Sequence, residues 1–220
     1  MFVGQEFLGR RLEMRQIWAV VMVSLAVSVA VATQEDAPKP KVSKDPLTAE
    51  QIAVYRTVLR DYTKGSGGSL NLADKTEPLD QSGPFFDKSC MKGLELEPAE
   101  SSVPVVHQLD FAVASNKKFV LVDPERQEEK IKANDTQNLM KRAIDDGEKV
   151  SDKQIENSVK QAFATGLFTL TEIMFDKQHL HAVVAYSFVC GMLCGHGNTL
   201  ILKKVGQEWK VSKRCGGWVS

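Results

Sequence analysis

Two of the chain's four cysteines fall in one glycine-rich octapeptide, CGMLCGHG at 190–197. Three chemistries fit that arrangement: a disulfide stapling the turn, a metal ion held by thiolates and imidazole, or a redox thiol activated by a neighbouring base. Cys190, Cys194, His196 and Cys215 supply the Cys₃His set of a tetrahedral zinc site. Against the metal stands a single C-x₃-C spacing with no second such pair. Against the redox centre stands the missing C-x-x-C of thioredoxin-like enzymes, although His196 follows Cys194 closely enough to lower a thiol pKa. An even number of cysteines in an exported chain points to disulfides. The favoured pairing is Cys190–Cys194 with Cys90–Cys215, and the alternative is Cys194–Cys215 with Cys90–Cys190.

The histidines and carboxylates are the second place to look. His179 and His181 form an H-x-H pair on one face of a strand, with Glu172 and Asp176 as neighbours across a hairpin. A solvated charged face accounts for the set. Glu172 and Asp176 lie four residues apart on one strand, about 13 Å, whereas the paired carboxylates of glycosidases need about 5–9.5 Å. His107 stands alone in VPVVHQLDF and reads as a hydrogen-bonded structural histidine. G-x-S-x-G, H-E-x-x-H and EF-hand patterns are missing.

The elements that position these residues follow from hydrophobic period. Thr48 and Gln51 make a capping box, and Ile52, Tyr55, Leu59 and Tyr62 recur at helical spacing until the Gly-Ser-rich turn at 65–69. SLNLAD and KFVLV read as strands, Phe85-Phe86 with Cys90 as a short buried helix or turn, and residues 124–166 as two or three helices. The C-terminal third, LFTLTEIMF, LHAVVAYSFVC, TLILKKV and EWKVSKRC, reads as four antiparallel strands. Two-residue turns at Lys177-Gln178 and Gly206-Gln207 set Asp176 opposite His179 and Lys204 opposite Trp209. Ile173, Phe175, Leu180, Ala182, Val184, Tyr186, Phe188, Leu200, Leu202, Trp209 and Val211 then share one face, and Glu172, Asp176, His179, His181, Lys203, Lys210 and Arg214 the other. In this register Cys190 and Cys215 both lie beside Asn198, about 9–10 Å apart, beyond the roughly 7 Å that a bridge between them tolerates.

Composition narrows the function. A hydrophobic content of 43% with 25% charged residues belongs to a globular chain. Without residues 1–32, which carry three arginines and two glutamates, 25 basic residues stand against 26 acidic ones. That balance, with no basic stripe, excludes nucleic acid as the expected partner. Residues 17–32, IWAVVMVSLAVSVAVA, carry no charge and follow Arg10, Arg11 and Arg15. Ala30-Val31-Ala32 offers an A-x-A cleavage site, so 1–32 reads as a signal peptide, with an uncleaved membrane anchor as the alternative. Either leaves the rest outside the cytoplasm. No cysteine supports a lipoprotein, and Glu13 spoils a twin-arginine signal. Read from Met14 the leader becomes MRQIWAVV, so translation is expected to start there rather than at Met1.

The run from Gly166 to the end resembles the C-terminal part of a group of exported bacterial proteins familiar from Acidobacteria, to which no activity is attached. The features that match are the CGMLCGHG loop, the EWKV strand and the terminal CGGWVS, over about the last quarter of the chain. The resemblance implies an envelope location and no catalytic residues. The expected architecture is α+β: a linker at 33–46 and one domain at 47–220, with N-terminal and central helices on one face of a four-stranded antiparallel meander. The expected role is a non-catalytic binding or structural module, for an envelope protein or a small ligand, with no cofactor. Its rival is an enzyme with a cleft at the helix–sheet junction. A filled junction favours the module, and a deep pocket with convergent polar groups favours the enzyme.

Overall fold

The computed structural model describes residues 39–64, 68–81, 86–97, 103–114, 118–147 and 149–220. The leader at 1–32, Met14, the turn at 65–67 and Phe85 lie outside the described residues. The folded unit runs over Ala37–Ser220. In it, the expected linker contributes β1 (Lys41–Val42), which pairs in parallel with β3 (Val105–Val106).

Helix α1 (Ala49–Tyr62) begins as its sequence demands. The Thr48 hydroxyl accepts from the Gln51 backbone N–H, and the Gln51 side chain accepts from the Thr48 N–H at 2.8 Å. Its buried stripe is Val54, Tyr55, Val58 and Leu59, with Ile52 and Tyr62 packed at the margins. Next come β2 (Leu70–Ala73) and β4 (Phe119–Val122), then α2 (Pro124–Ala133), α3 (Thr136–Asp146) and α4 (Asp152–Thr165). The chain closes with β5 (Leu167–Leu170), β6 (Met174–Phe175), β7 (His181–Gly191), β8 (Cys194–Val205) and β9 (Glu208–Val219).

The sheet is mixed and seven-stranded, not a four-stranded meander. Its order is β4-β2-β5-β7-β8-β9, with β6 beside β7. β2 runs parallel to both β4 and β5, and the remaining pairs are antiparallel. A parallel return needs a crossover, and the three helices between β4 and β5 provide it. The expected single strand over LFTLTEIMF is broken. Phe168 and Leu170 face the core before the break, Phe175 faces it afterwards, and the change of parity turns Glu172 out of the ladder.

Helices cover both faces, another departure from expectation. α1 lies over Leu72, Phe168, Leu170, Val184, Leu200 and Leu202. On the reverse side, Ile131 of α2 packs on Ala73 and Leu167, while Met91, Phe86, Leu94 and Leu96 pack on Val183, Ile201 and Cys215. That reverse face is apolar and needs cover, because each buried aliphatic side chain contributes about 1.5–3 kcal/mol.

Two bulges in β9 decide where its side chains go. Lys204 faces Trp209 as the turn at Gly206-Gln207 requires. The pairing then skips Ser212, so Leu200 faces Arg214 and Thr199 faces Cys215, and a second skip at Gly216 follows. Each inserted residue reverses the faces. Arg214 is thereby delivered to α1, where it bonds Asp61, and Cys215 to the reverse side, where it joins Cys90 across a Cα separation of 5.6 Å.

Candidate functional site

β7 and β8 form a long hairpin whose tip is Gly191-Met192-Leu193. The Cys190–Cys194 disulfide, with Cα atoms 5.1 Å apart, closes that tip. Gly191 has a φ of 153°, and a Cβ there would stand 3.2 Å from the Asp135 carboxylate, so glycine is required on both counts. Asp135 is the N-cap of α3, accepting from the Gln137 N–H at 2.9 Å. Its other oxygen accepts from the Met192 N–H at 2.8 Å. One carboxylate thus fastens the hairpin tip to the start of α3.

Between that tip and helices α3 and α4 lies a cleft of about 530 Å³. Its walls are mainly Met140, Val159, Phe163, Phe188, Leu193 and the Cys190–Cys194 bridge. The Phe163 and Phe188 rings stack with centroids 6.0 Å apart and an interplanar angle of 19°. Phe163 and Leu193 are 55% and 73% exposed, so the mouth of the cleft is apolar as well. Large apolar side chains gathered at one exposed place mark an interaction site.

His196 sits at the floor. It lies on β8 opposite Phe188, and its Nε2 is 3.0 Å from the Tyr62 hydroxyl at the end of α1. Burial lowers the His196 pKa, so the ring is neutral at physiological pH. Burial, with the neighbouring Tyr186 adding to it, pushes Tyr62 up to about 12, and the phenol stays protonated. Two residues along the same face of β8, the amide Oδ1 of Asn198 is buried without a hydrogen-bond partner. The chemistry available to the cleft is hydrogen bonding from the neutral His196 imidazole, itself held by the Tyr62 phenol, beside apolar walls. Among the described residues, Tyr62 is the one side chain within hydrogen-bond distance of the His196 ring nitrogens.

The residues singled out from sequence do not converge on one centre. Cys190, Cys194 and His196 are together at the cleft, but Cys215 is on the reverse face and bonded to Cys90, so the Cys₃His set is not assembled. No group of three or more metal-ligating side chains occurs among the described residues. The H-x-H pair is also split. His181 holds Asp176 at 2.8 Å, while His179, at a φ of 53°, turns to Glu50 of α1 at 2.7 Å. Glu172 accepts from the His107 backbone N–H at 2.9 Å, lies 3.0 Å from its Nδ1 and bonds the Thr76 hydroxyl. His107, His179 and His181 are therefore clasps between segments. Sequence reasoning took Tyr62 as plain helix stripe and passed over Asp135, whose position before a helix start is a cap signal.

No family model, no curated protein and no solved structure matches the chain.

Proposed function

We propose that the chain is an exported protein of the bacterial cell envelope whose folded part is a non-catalytic binding module for a small ligand. One observation carries the reading. The α1–sheet junction is filled, with Tyr55, Phe168, Leu72 and Leu200 at most 1% exposed, whereas the space left at the hairpin end is a cleft with apolar walls. Such a cleft, with few polar groups at its floor, is the ordinary form of a small-molecule site. Two disulfides suit an oxidising compartment, in keeping with the leader at 17–32 and with the C-terminal resemblance. Among the described residues no helix is long and apolar enough to cross a membrane.

The test is to purify the protein from the envelope of its native host without denaturant, then sequence its N-terminus and extract bound small molecules for mass spectrometry. The expected result is a chain beginning near Thr33 that carries an apolar compound in stoichiometric amount. Full-length material resisting carbonate extraction would make 17–32 an anchor, and repeated purification without any bound compound would count against the module. The rival reading, an enzyme, draws on the Tyr62–His196 pair at the cleft floor. It requires His196→Ala to abolish turnover of a substrate that the variant still binds.

A further inference from the structure

Among the described residues, the one charged side chain lining the cleft is Asp135. Its carboxylate already accepts the Gln137 and Met192 backbone N–H groups, which fix its position at the rim. No lysine or arginine among the described residues lines the space. His196 at the floor is a neutral hydrogen-bonding group, not a counter-charge. An anionic ligand entering here would lose water, find no cation and approach a fixed carboxylate, which is costly on both counts. The apolar walls make desolvation equally costly for a cation. The exposed Phe163 ring, stacked on the buried Phe188, presents flat apolar surface, and the volume of about 530 Å³ lies within the range of small-molecule sites. The Cys190–Cys194 bridge holds one wall in place before anything binds.

From the apolar walls, the Asp135 carboxylate at the rim and the lack of a lining cation among the described residues, we infer that the cleft selects uncharged, predominantly apolar small molecules and rejects their anionic analogues. This rests on the reading of the domain as a binding module and names the class of ligand. Entry is past Leu193 at the hairpin tip, with the apolar body of the ligand against Phe163 and its single polar atom toward His196. Removing the Asp135 charge relaxes the selection, at the cost of one of the two N–H contacts that its carboxylate accepts.

Two dyes with one ring system separate these claims. N-phenyl-1-naphthylamine is uncharged at neutral pH, and 8-anilinonaphthalene-1-sulfonate carries the same rings with a sulfonate. Titrated into the exported protein with both disulfides intact, the neutral dye should bind one per chain, at least about tenfold tighter than the sulfonate. Val159→Asp should weaken the neutral dye by a similar factor, since Val159 is a partly exposed wall residue. Asp135→Asn keeps one acceptor oxygen for the two N–H groups and should narrow the ratio between the dyes, with the melting temperature of the variant read alongside to separate loss of charge from loosening of the tip. Equal binding of both dyes, each lost in Val159→Asp, would overturn the charge selection and leave the module intact. Saturable binding of neither dye would overturn both. Binding of the neutral dye indifferent to Val159→Asp and Phe163→Asp would place its site elsewhere and end the inference. So would a dimer by light scattering whose formation and dye binding exclude each other, because the cleft would then be an interface between copies.

Discussion

The two disulfides differ so much in reach that removing them should have clearly different costs. Cys90–Cys215 spans 125 residues of sequence and Cys190–Cys194 spans 4. The loop-entropy relation gives about 5 kcal/mol for the long bridge and about 2 kcal/mol for the short one. The surroundings push the same way, because Cys90–Cys215 pins Met91, Leu94 and Leu96 over Val183 and Ile201. The variants to compare are the double replacements Cys90→Ala/Cys215→Ala and Cys190→Ala/Cys194→Ala, which leave no thiol free to exchange within the broken pair. At roughly 2–4 °C per kcal/mol for a domain of this size, Tm should fall by about 10–20 °C for the first and about 4–8 °C for the second. Urea unfolding followed by tryptophan emission reads both, because Trp209 is buried in the core. The urea slope should also rise in the first variant, since an unfolded chain without the long crosslink exposes more surface. Losses equal within about 1 kcal/mol, or a larger loss for the short bridge, would refute the reasoning. Four free thiols in protein purified without reductant would remove its premise.

The remaining predictions concern α1 and the cleft wall. The hydrogen bond to Glu50 raises the His179 pKa, so this contact contributes fully below about pH 6.5 and is lost as pH climbs through the raised value. The stability gap between the wild type and His179→Gln should therefore shrink from pH 6 to pH 8 in urea titrations, and a gap constant with pH would contradict the contact. On the acid side, burial raises Glu50, but hydrogen bonds from Lys204 and His179 outweigh it and hold the carboxyl low. Its contribution is thus present above about pH 4.5 and lost as pH falls through the lowered value. Gly166→Ala would put a Cβ 2.6 Å from the Phe188 ring and 3.2 Å from Cys190 Cβ, at a φ that alanine otherwise accepts. It should cost about 1–3 kcal/mol in chemical denaturation and weaken dye binding by moving that wall, whereas a neutral effect on both would show that the ring gives way freely.

How much of this was legible in the sequence depends on which physical property carried the signal. Side-chain parity was legible. The residues assigned to the core face between Phe175 and Leu202 are on it, apart from Leu180, because alternation survives any register shift of two. Register was not. The turn after β6 was read as two residues, but Asp176 accepts from the Leu180 and His181 N–H groups and wraps a longer turn, so Met174 faces Val183 instead of His181. The hairpin at the disulfide is tighter than expected, setting Asn198 opposite Tyr186 and not beside Cys190. The β9 bulges were invisible, since Ser212 and Gly216 look like ordinary strand and loop residues, yet the one at Ser212 decides that Cys215 meets Cys90 and that Arg214 meets α1. Caps were legible because they are local, as at Thr48. The parallel strands β2 and β4 were seen as strands but not as members of the sheet, because nothing local encodes a pairing made across a crossover of three helices.

The place of the cleft follows from a mismatch of lengths. α1 lies along β8, with Glu50 bonded to Lys204 at one end and Tyr62 to His196 at the other. α1 ends at Tyr62 beside His196, while β8 reaches two residues further to Cys194 and the hairpin tip lies beyond that. The hairpin therefore runs on past the end of α1. The core face that it carries there, Phe188 with Cys190 and Cys194, needs another cover. α4 supplies it through Phe163, but α4 arrives by way of the Thr165–Gly166 junction into β5 and stands at the side of the hairpin, not across it. α3 is tethered to the tip through Asp135 and stands on the far side. Three elements that meet only at their edges leave a gap, and the gap is walled by what each would otherwise have buried. An apolar opening of this kind is a stability cost unless something fills it. The Cys190–Cys194 staple makes the opening rigid instead of collapsible. By restricting the unfolded chain, the same staple contributes about 2 kcal/mol, which offsets part of the cost of the opening whether or not anything fills it.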